Sequence, residues 1–134
     1  MAFAIHRAIQ SNTKLSLVEL MGYAGYAFRL NINVEKVDVA GPTAFDWNVY
    51  NRKALDNIGV QFKSFGTADF TPPTPDELAD AINMIQESID KEQPVIAWDL
   101  FIPEFGVIYG YDDDRKELYA LDGTGKKELS LMTS

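Results

Sequence analysis

The clearest patterning of apolar and polar positions lies towards the C-terminus. Residues 94–98, PVIAW, form an apolar run opened by a proline. From Phe105 the chain alternates, with Phe105, Val107, Tyr109 and Tyr111 on one parity and Gly106, Ile108 and Gly110 on the other. Period two over this length predicts a strand with one packed face. The acids Asp112, Asp113 and Asp114 read as a turn, and Leu118, Ala120 and Asp122 alternate with Tyr119 and Leu121 on the return. The expected unit is a β-hairpin around residues 112–116, with residues 94–100 as a neighbouring strand. Gly106 and Gly110 weaken a strand interior unless something approaches closely, so an aromatic ring or a helix is expected over that face.

Upstream, the period changes repeatedly. Ala2, Ile5 and Ile9 share one helical stripe, which Ser11 and Asn12 end. Ser16 followed three residues later by Glu19 is a capping box and predicts a second helix, closed at Gly25. Phe28, Leu30, Ile32 and Val34 alternate with Arg29, Asn31, Asn33 and Glu35, which predicts a strand, with Val37 and Val39 continuing on shifted parity after a bulge or turn. Gly41 and Pro42 end it. Thr43 is the expected cap of a helix with the stripe Trp47, Tyr50, Ala54 and Ile58, stopped by Gly59. Residues 60–65 read as a strand and residues 66–75 as a loop. Thr74, Pro75 and Glu77 mark the clearest helix start, with Leu78, Ala81, Ile82, Ile85 and Ile89 behind it. Gly123 to Lys127 reads as a tight turn and residues 128–132 as a last strand.

Composition narrows the class. A chain of 134 residues, 46% hydrophobic, has enough material for one domain, residues 1–134, with a core of its own. No cysteine and a single histidine exclude a disulfide scaffold and make a structural zinc site an unsuitable reading, so neither a metal nor a cofactor is expected. No apolar run is long enough to span a bilayer and residues 1–10 do not form a signal peptide, which points to a cytoplasmic protein. The net charge of −8 disfavours nucleic acid and anionic membranes as partners. Between Asp69 and Asp114 there are twelve acids and one base, Lys91, so the charge is concentrated there. A solvated acidic face or a cation-attracting cleft would both produce it.

Three motifs are set aside. The Asp112–Asp114 run lacks the alternate spacing, central glycine and distal glutamate of a calcium loop. Gly123-Thr-Gly-Lys-Lys lacks the spacer of a phosphate-binding loop. His6, alone on an apolar helix, reads as a packing residue.

The run PVI, then a strand ending Gly110-Tyr111-Asp112-Asp113, a short turn and a strand ending in Asp122, resembles the C-terminal half of papain-like cysteine enzymes. It is most similar to the double-glycine leader peptidases and to the butirosin-biosynthesis protein H N-terminal-domain family. SLVELMGYAGYAFRLNI and GPTAFDW are similar to that family as well, so the resemblance spans roughly residues 16–122. It implies an α+β papain-like domain, N-terminal helices packed on a C-terminal antiparallel sheet, with N-terminal and C-terminal parts of the full family domain absent from these residues. It also implies a thiolate at a helix N-terminus, a histidine six residues before Gly110-Tyr111 and an Asp or Asn on the next strand. Here the histidine position is Glu104, the third position is Asp122, and cysteine is lacking. No catalytic residue is therefore assigned.

Asp99, Glu104 and Asp122 are expected near the same end of neighbouring strands, with Trp98 and Tyr109 as aromatic walls. Facing carboxylates raise one another's pKa or take a cationic partner, Arg29 being the internal candidate. The leading expectation is a non-catalytic binding or accessory domain whose acidic and aromatic cleft takes a small cationic molecule or peptide. Two alternatives stay open. One is an acyltransferase or peptidase-related enzyme whose nucleophile lies outside this chain; the other is a structural domain completed by a homodimer or partner domain.

Overall fold

The computed structural model describes residues 1–10, 13–32, 34–35, 46–66 and 71–131. It is α+β, and it divides into two compact units: Met1–Leu15 with Pro73–Ser134, and Ser16–Pro72.

The first unit is built on four strands, β1 (Val95–Trp98), β2 (Phe105–Asp112), β3 (Glu117–Asp122) and β4 (Gly125–Ser130). They form one antiparallel sheet in chain order, so every connection is a hairpin. The register puts Val95 opposite Ile108, Ile108 opposite Ala120 and Ala120 opposite Lys127. Directly opposed residues share a face, and this face carries the core: Ile108, Leu118 and Ala120 are buried, with Val95, Ala97, Leu100, Phe101 and Leu129 against them. Helix α4 (Pro75–Asp90) adds Ile85 to the same cluster. Val107, on the other face, is equally buried, so β2 is covered on both sides. Helix α1 (Ala2–Ile9), with Ala4, Ile5 and Ile9 buried, also lies against β1 and β2.

Local chemistry starts and stops these elements as expected. Thr74 Oγ1 accepts the Glu77 N–H, and the Glu77 carboxylate accepts the Thr74 N–H at 2.7 Å, a complete capping box with Pro75 in the first turn. The Asp112–Glu117 hairpin is closed by Asp112 Oδ1 accepting the Arg115 N–H. The two strand glycines are contact sites. A Cβ on Gly106 would lie 2.8 Å from both Leu100 Cδ1 and the Leu121 carbonyl oxygen, and one on Gly110 would lie 3.0 Å from the Tyr119 ring. An aromatic does cover Gly110; Gly106 is covered by a loop leucine and by backbone. The last turn is tighter than residues 123–127, because Asp122 already pairs with Gly125 and β4 begins there.

The second unit holds α2 (Leu17–Tyr23), a 3-10 turn at Tyr26–Phe28 and α3 (Trp47–Asn57). The Ser16–Glu19 capping box is complete, and Gly25 at φ 81° takes the left-handed position after α2. Asp46 caps α3 by accepting the Asn48 and Val49 N–H groups, and Gly59 follows its end at φ 74°. The buried stripe of α3 is Asn51, Ala54 and Leu55, and Tyr50 is exposed. The Tyr26 hydroxyl donates to Asn51 Oδ1 at 2.8 Å, and the Arg29 guanidinium lies over Tyr26 and Tyr50, 5.1 and 4.3 Å from the ring centroids. Neither expected strand of this unit forms among the described residues. Residues 29–32 and 60–65 carry no ladder, because period two supplies a face but not the neighbouring strand that a ladder needs. The shifted Val37 and Val39, the Gly41-Pro42 stop and the Thr43 cap lie outside the described residues, as do Ser11 and Asn12.

Candidate ligand site at the Glu104 end of the sheet

The six residues between β1 and β2 bring the chain back with a compact turn. Asp99, in the left-handed region at φ 58°, donates its N–H to the Glu104 carbonyl at 3.0 Å, and the Glu104 N–H reaches the Ile102 carbonyl at 2.6 Å. Leu100 and Phe101 turn into the core cluster, which pins the loop, and Glu104 is left exposed at its exit. Its carboxylate leans over the β3–β4 turn: a Cβ on Gly123 would stand 3.5 Å from Glu104 Oε2.

Asp122, the residue before that glycine, is the buried member, with 2% of its surface accessible. Thr124 holds one of its oxygens twice, the N–H donating to Oδ1 at 2.7 Å and the hydroxyl at 2.5 Å. The other oxygen, Oδ2, is buried and has no hydrogen-bond partner among the described residues. The Thr124 hydroxyl is the main reason the Asp122 pKa lies below the ordinary carboxylate value; burial opposes it, and the Thr124 N–H and the Lys127 charge lower it further. Asp122 is therefore a carboxylate at neutral pH with one oxygen fixed and one unsatisfied. The N-terminal end of α1 comes within electrostatic reach of this corner. Burial lowers the pKa of the Met1 amino group, and the Glu104 charge raises it again.

Sequence reading placed five residues in one cleft, and the structure separates them. Glu104 and Asp122 are brought together through Gly123, and Asp99 joins them through its backbone while its side chain is exposed. Trp98 and Tyr109 are on the other face. Trp98 opposes Phe105 one residue beyond the Ala97–Gly106 pair, and its ring packs edge-on against Phe105 at 4.8 Å. Tyr109 follows Ile108 and sits under the Lys126 ammonium, 5.4 Å from the ring centroid. Alternation sends Trp98 and Phe105 to the face opposite that of Ala97 and Gly106, while Tyr109 stands at a register irregularity between Ile108 and Gly110 and is placed by its contact with Lys126. From the β1–β2 loop, Leu100 and Phe101 join the apolar groups of the Asp122 face, and Lys127 lies over Phe101 at 5.1 Å. Thr124 and Lys127 were not anticipated; Asp-x-Thr directly after a strand is the signature of a side-chain-closed turn and could have revealed Thr124.

Arg29, the internal counter-charge considered from sequence, is seen stacked on Tyr26 and Tyr50 in the second unit. His6 Nε2–H donates to the Leu15 carbonyl at 3.0 Å, in keeping with a packing role. No group of three His, Asp or Glu side chains among the described residues is arranged to hold a metal ion. No described helix is long and apolar enough to cross a membrane. No protein-family model, no curated protein and no solved structure matches this chain.

Proposed function

We propose that this chain is a non-catalytic binding domain with a papain-like arrangement, taking a small ammonium compound at the Glu104–Asp122 corner. The observation that carries the reading is the buried, ionised Asp122, which presents an oxygen without a donor beside a second carboxylate. An ammonium supplies both the missing donor and the opposite charge. A papain-like reading is supported by the company this corner keeps, since a helix N-terminal end, the residue at the histidine position and the residue at the third position are all there. Neither Glu104 nor Asp122 is a thiolate-like nucleophile with a neighbouring base. The arrangement therefore favours holding a ligand over forming an acyl-enzyme.

The test is calorimetric titration of a panel of aminocyclitols and short diamines into wild type, Glu104→Gln and Asp122→Asn, with intact-mass detection after incubation with thioester and leader-peptide substrates. Saturable binding that both substitutions weaken, without a mass adduct, is the expected result. A covalent adduct on any side chain, or binding that neither substitution changes, would refute it.

A further inference from the structure

The Glu104–Asp122 corner has a cation beside it that is bonded to neither carboxylate. Asp122 pairs with Gly125 and Ala120 with Lys127, so Lys127 stands diagonally across β3 and β4 from Asp122 on the same face. Diagonal neighbours are about 7–8 Å apart, within reach of a lysine side chain. The Lys127 ammonium nevertheless lies over the Phe101 ring, and no carboxylate comes within ion-pair distance of it among the described residues. Its charge is near enough to lower the Asp122 pKa, yet Asp122 Oδ2 stays buried without a donor. The neighbouring Lys126 takes no part, because it is opposite Leu121 on the other face and over Tyr109.

Two unmet needs thus stand on one face, a carboxylate oxygen without a donor and an ammonium without an anion. A simple amine answers the first alone and brings its charge towards Lys127, which repels it. A molecule carrying an ammonium and a carboxylate on one carbon answers both. The ground between them is apolar. Leu100 Cδ1 and Asp122 Cβ stand 2.8 and 3.3 Å from the point a Gly106 Cβ would occupy, which puts Leu100 beside Asp122, and Phe101 lies under Lys127. An apolar side chain is suited to these two residues. Resting on the ammonium reading above and narrowing it, we infer that the ligand is a free α-amino acid with an apolar side chain, selected by Lys127. Lys127 takes its carboxylate while Asp122 and Glu104 take its ammonium. The first residue of a peptide has the ammonium without the carboxylate, so a free amino acid is favoured over a peptide end.

Calorimetric titration with L-leucine and L-leucinamide tests this, since the two share ammonium and side chain and differ in the carboxylate. At about pH 6, below the ordinary α-amino value of about 8, both amines carry their proton. Leucine should bind wild type about tenfold tighter than leucinamide, the size of one charge-assisted hydrogen bond. Lys127→Met should bring leucine down to the leucinamide level without weakening leucinamide. Lys127→Arg should keep the preference, and Lys126→Met, on the other face, should change neither affinity. Equal affinities in wild type, a preference that survives Lys127→Met, or one abolished by Lys126→Met would overturn the inference and leave amine binding standing. Leucine failing to bind where the amines of the panel bind would do the same. Failure of every amine to bind would take down the ammonium reading with it.

Discussion

The two units answer the same kind of sequence signal differently. In the sheet unit, alternating residues 105–111 and 117–122 become β2 and β3, and their apolar positions end buried. In the second unit, the equally regular alternation from Phe28 forms no strand among the described residues, and the apolar Phe28, Leu30, Ile32 and Val34 are exposed. What separates them is pairing. β2 has β1 on one side and β3 on the other, joined by short hairpins that close at little entropic cost. Residues 28–34 have no such neighbour within the described chain. Alternation specifies which side chains would share a face, and only a neighbouring strand turns that into structure.

The contrast can be broken by mutation, most strongly in the core of the sheet unit. Ile108→Ala should cost about 2–5 kcal/mol in denaturant unfolding, as expected for a truncated, fully buried side chain. Gly106→Ala comes next, at about 1–3 kcal/mol, since its new methyl meets the Leu121 carbonyl as well as a movable leucine. Removing a cap is smaller: Thr74→Ala should cost about 1 kcal/mol. Leu30→Ser, at a side chain that is 84% exposed, should stay within about 0.5 kcal/mol of wild type. A loss at Leu30 comparable to that at Ile108 would mean the outward row is packed within a single chain, and the contrast would fail.

A pH experiment sharpens the same contrast at the site. The Asp122 pKa in the folded chain lies below its ordinary value of 3.8. Its contribution to stability is therefore complete above that value and lost as the pH falls through the lower folded value. Thr124→Val removes the leading cause of the shift. The stability lead of wild type over this variant should hold steady near neutral pH and close below about pH 4. In the second unit, the Tyr26 hydroxyl is pushed by burial up to about 12, with Arg29 opposing. Ultraviolet titration of Tyr26→Phe should accordingly lose a late-titrating component that wild type shows.

What was legible in the sequence follows the range of the forces involved. Caps and stops act over three or four residues and are legible at Ser16–Glu19, Thr74–Glu77, Gly25 and Gly59, whereas the cap of α3 is Asp46, three residues after the expected Thr43. Contiguous hairpins also read correctly, because their turns lie within the same stretch as their strands. The start of β4 was read three residues late, since the Asp122–Thr124 bonds tighten the turn in a way composition alone does not show. At the site, Glu104 and Asp122 were found together, but Trp98 and Tyr109 were assigned to their side from proximity along the chain. The register puts Trp98 on the other face, the irregularity between Ile108 and Gly110 leaves Tyr109 against Lys126, and Leu100 and Phe101 reach the Asp122 face from a loop.

Amide chemical-shift mapping with the tightest amine of the panel tests the Glu104–Asp122 corner residue by residue. The largest shifts should fall on Glu104, Asp122, Gly123 and Thr124, with smaller ones at Leu100 and Phe101, and all should disappear in Asp122→Asn. Shifts centred on Asp112–Asp114, or on Trp98 and Tyr109 across the sheet, would place the ligand elsewhere and contradict the assignment.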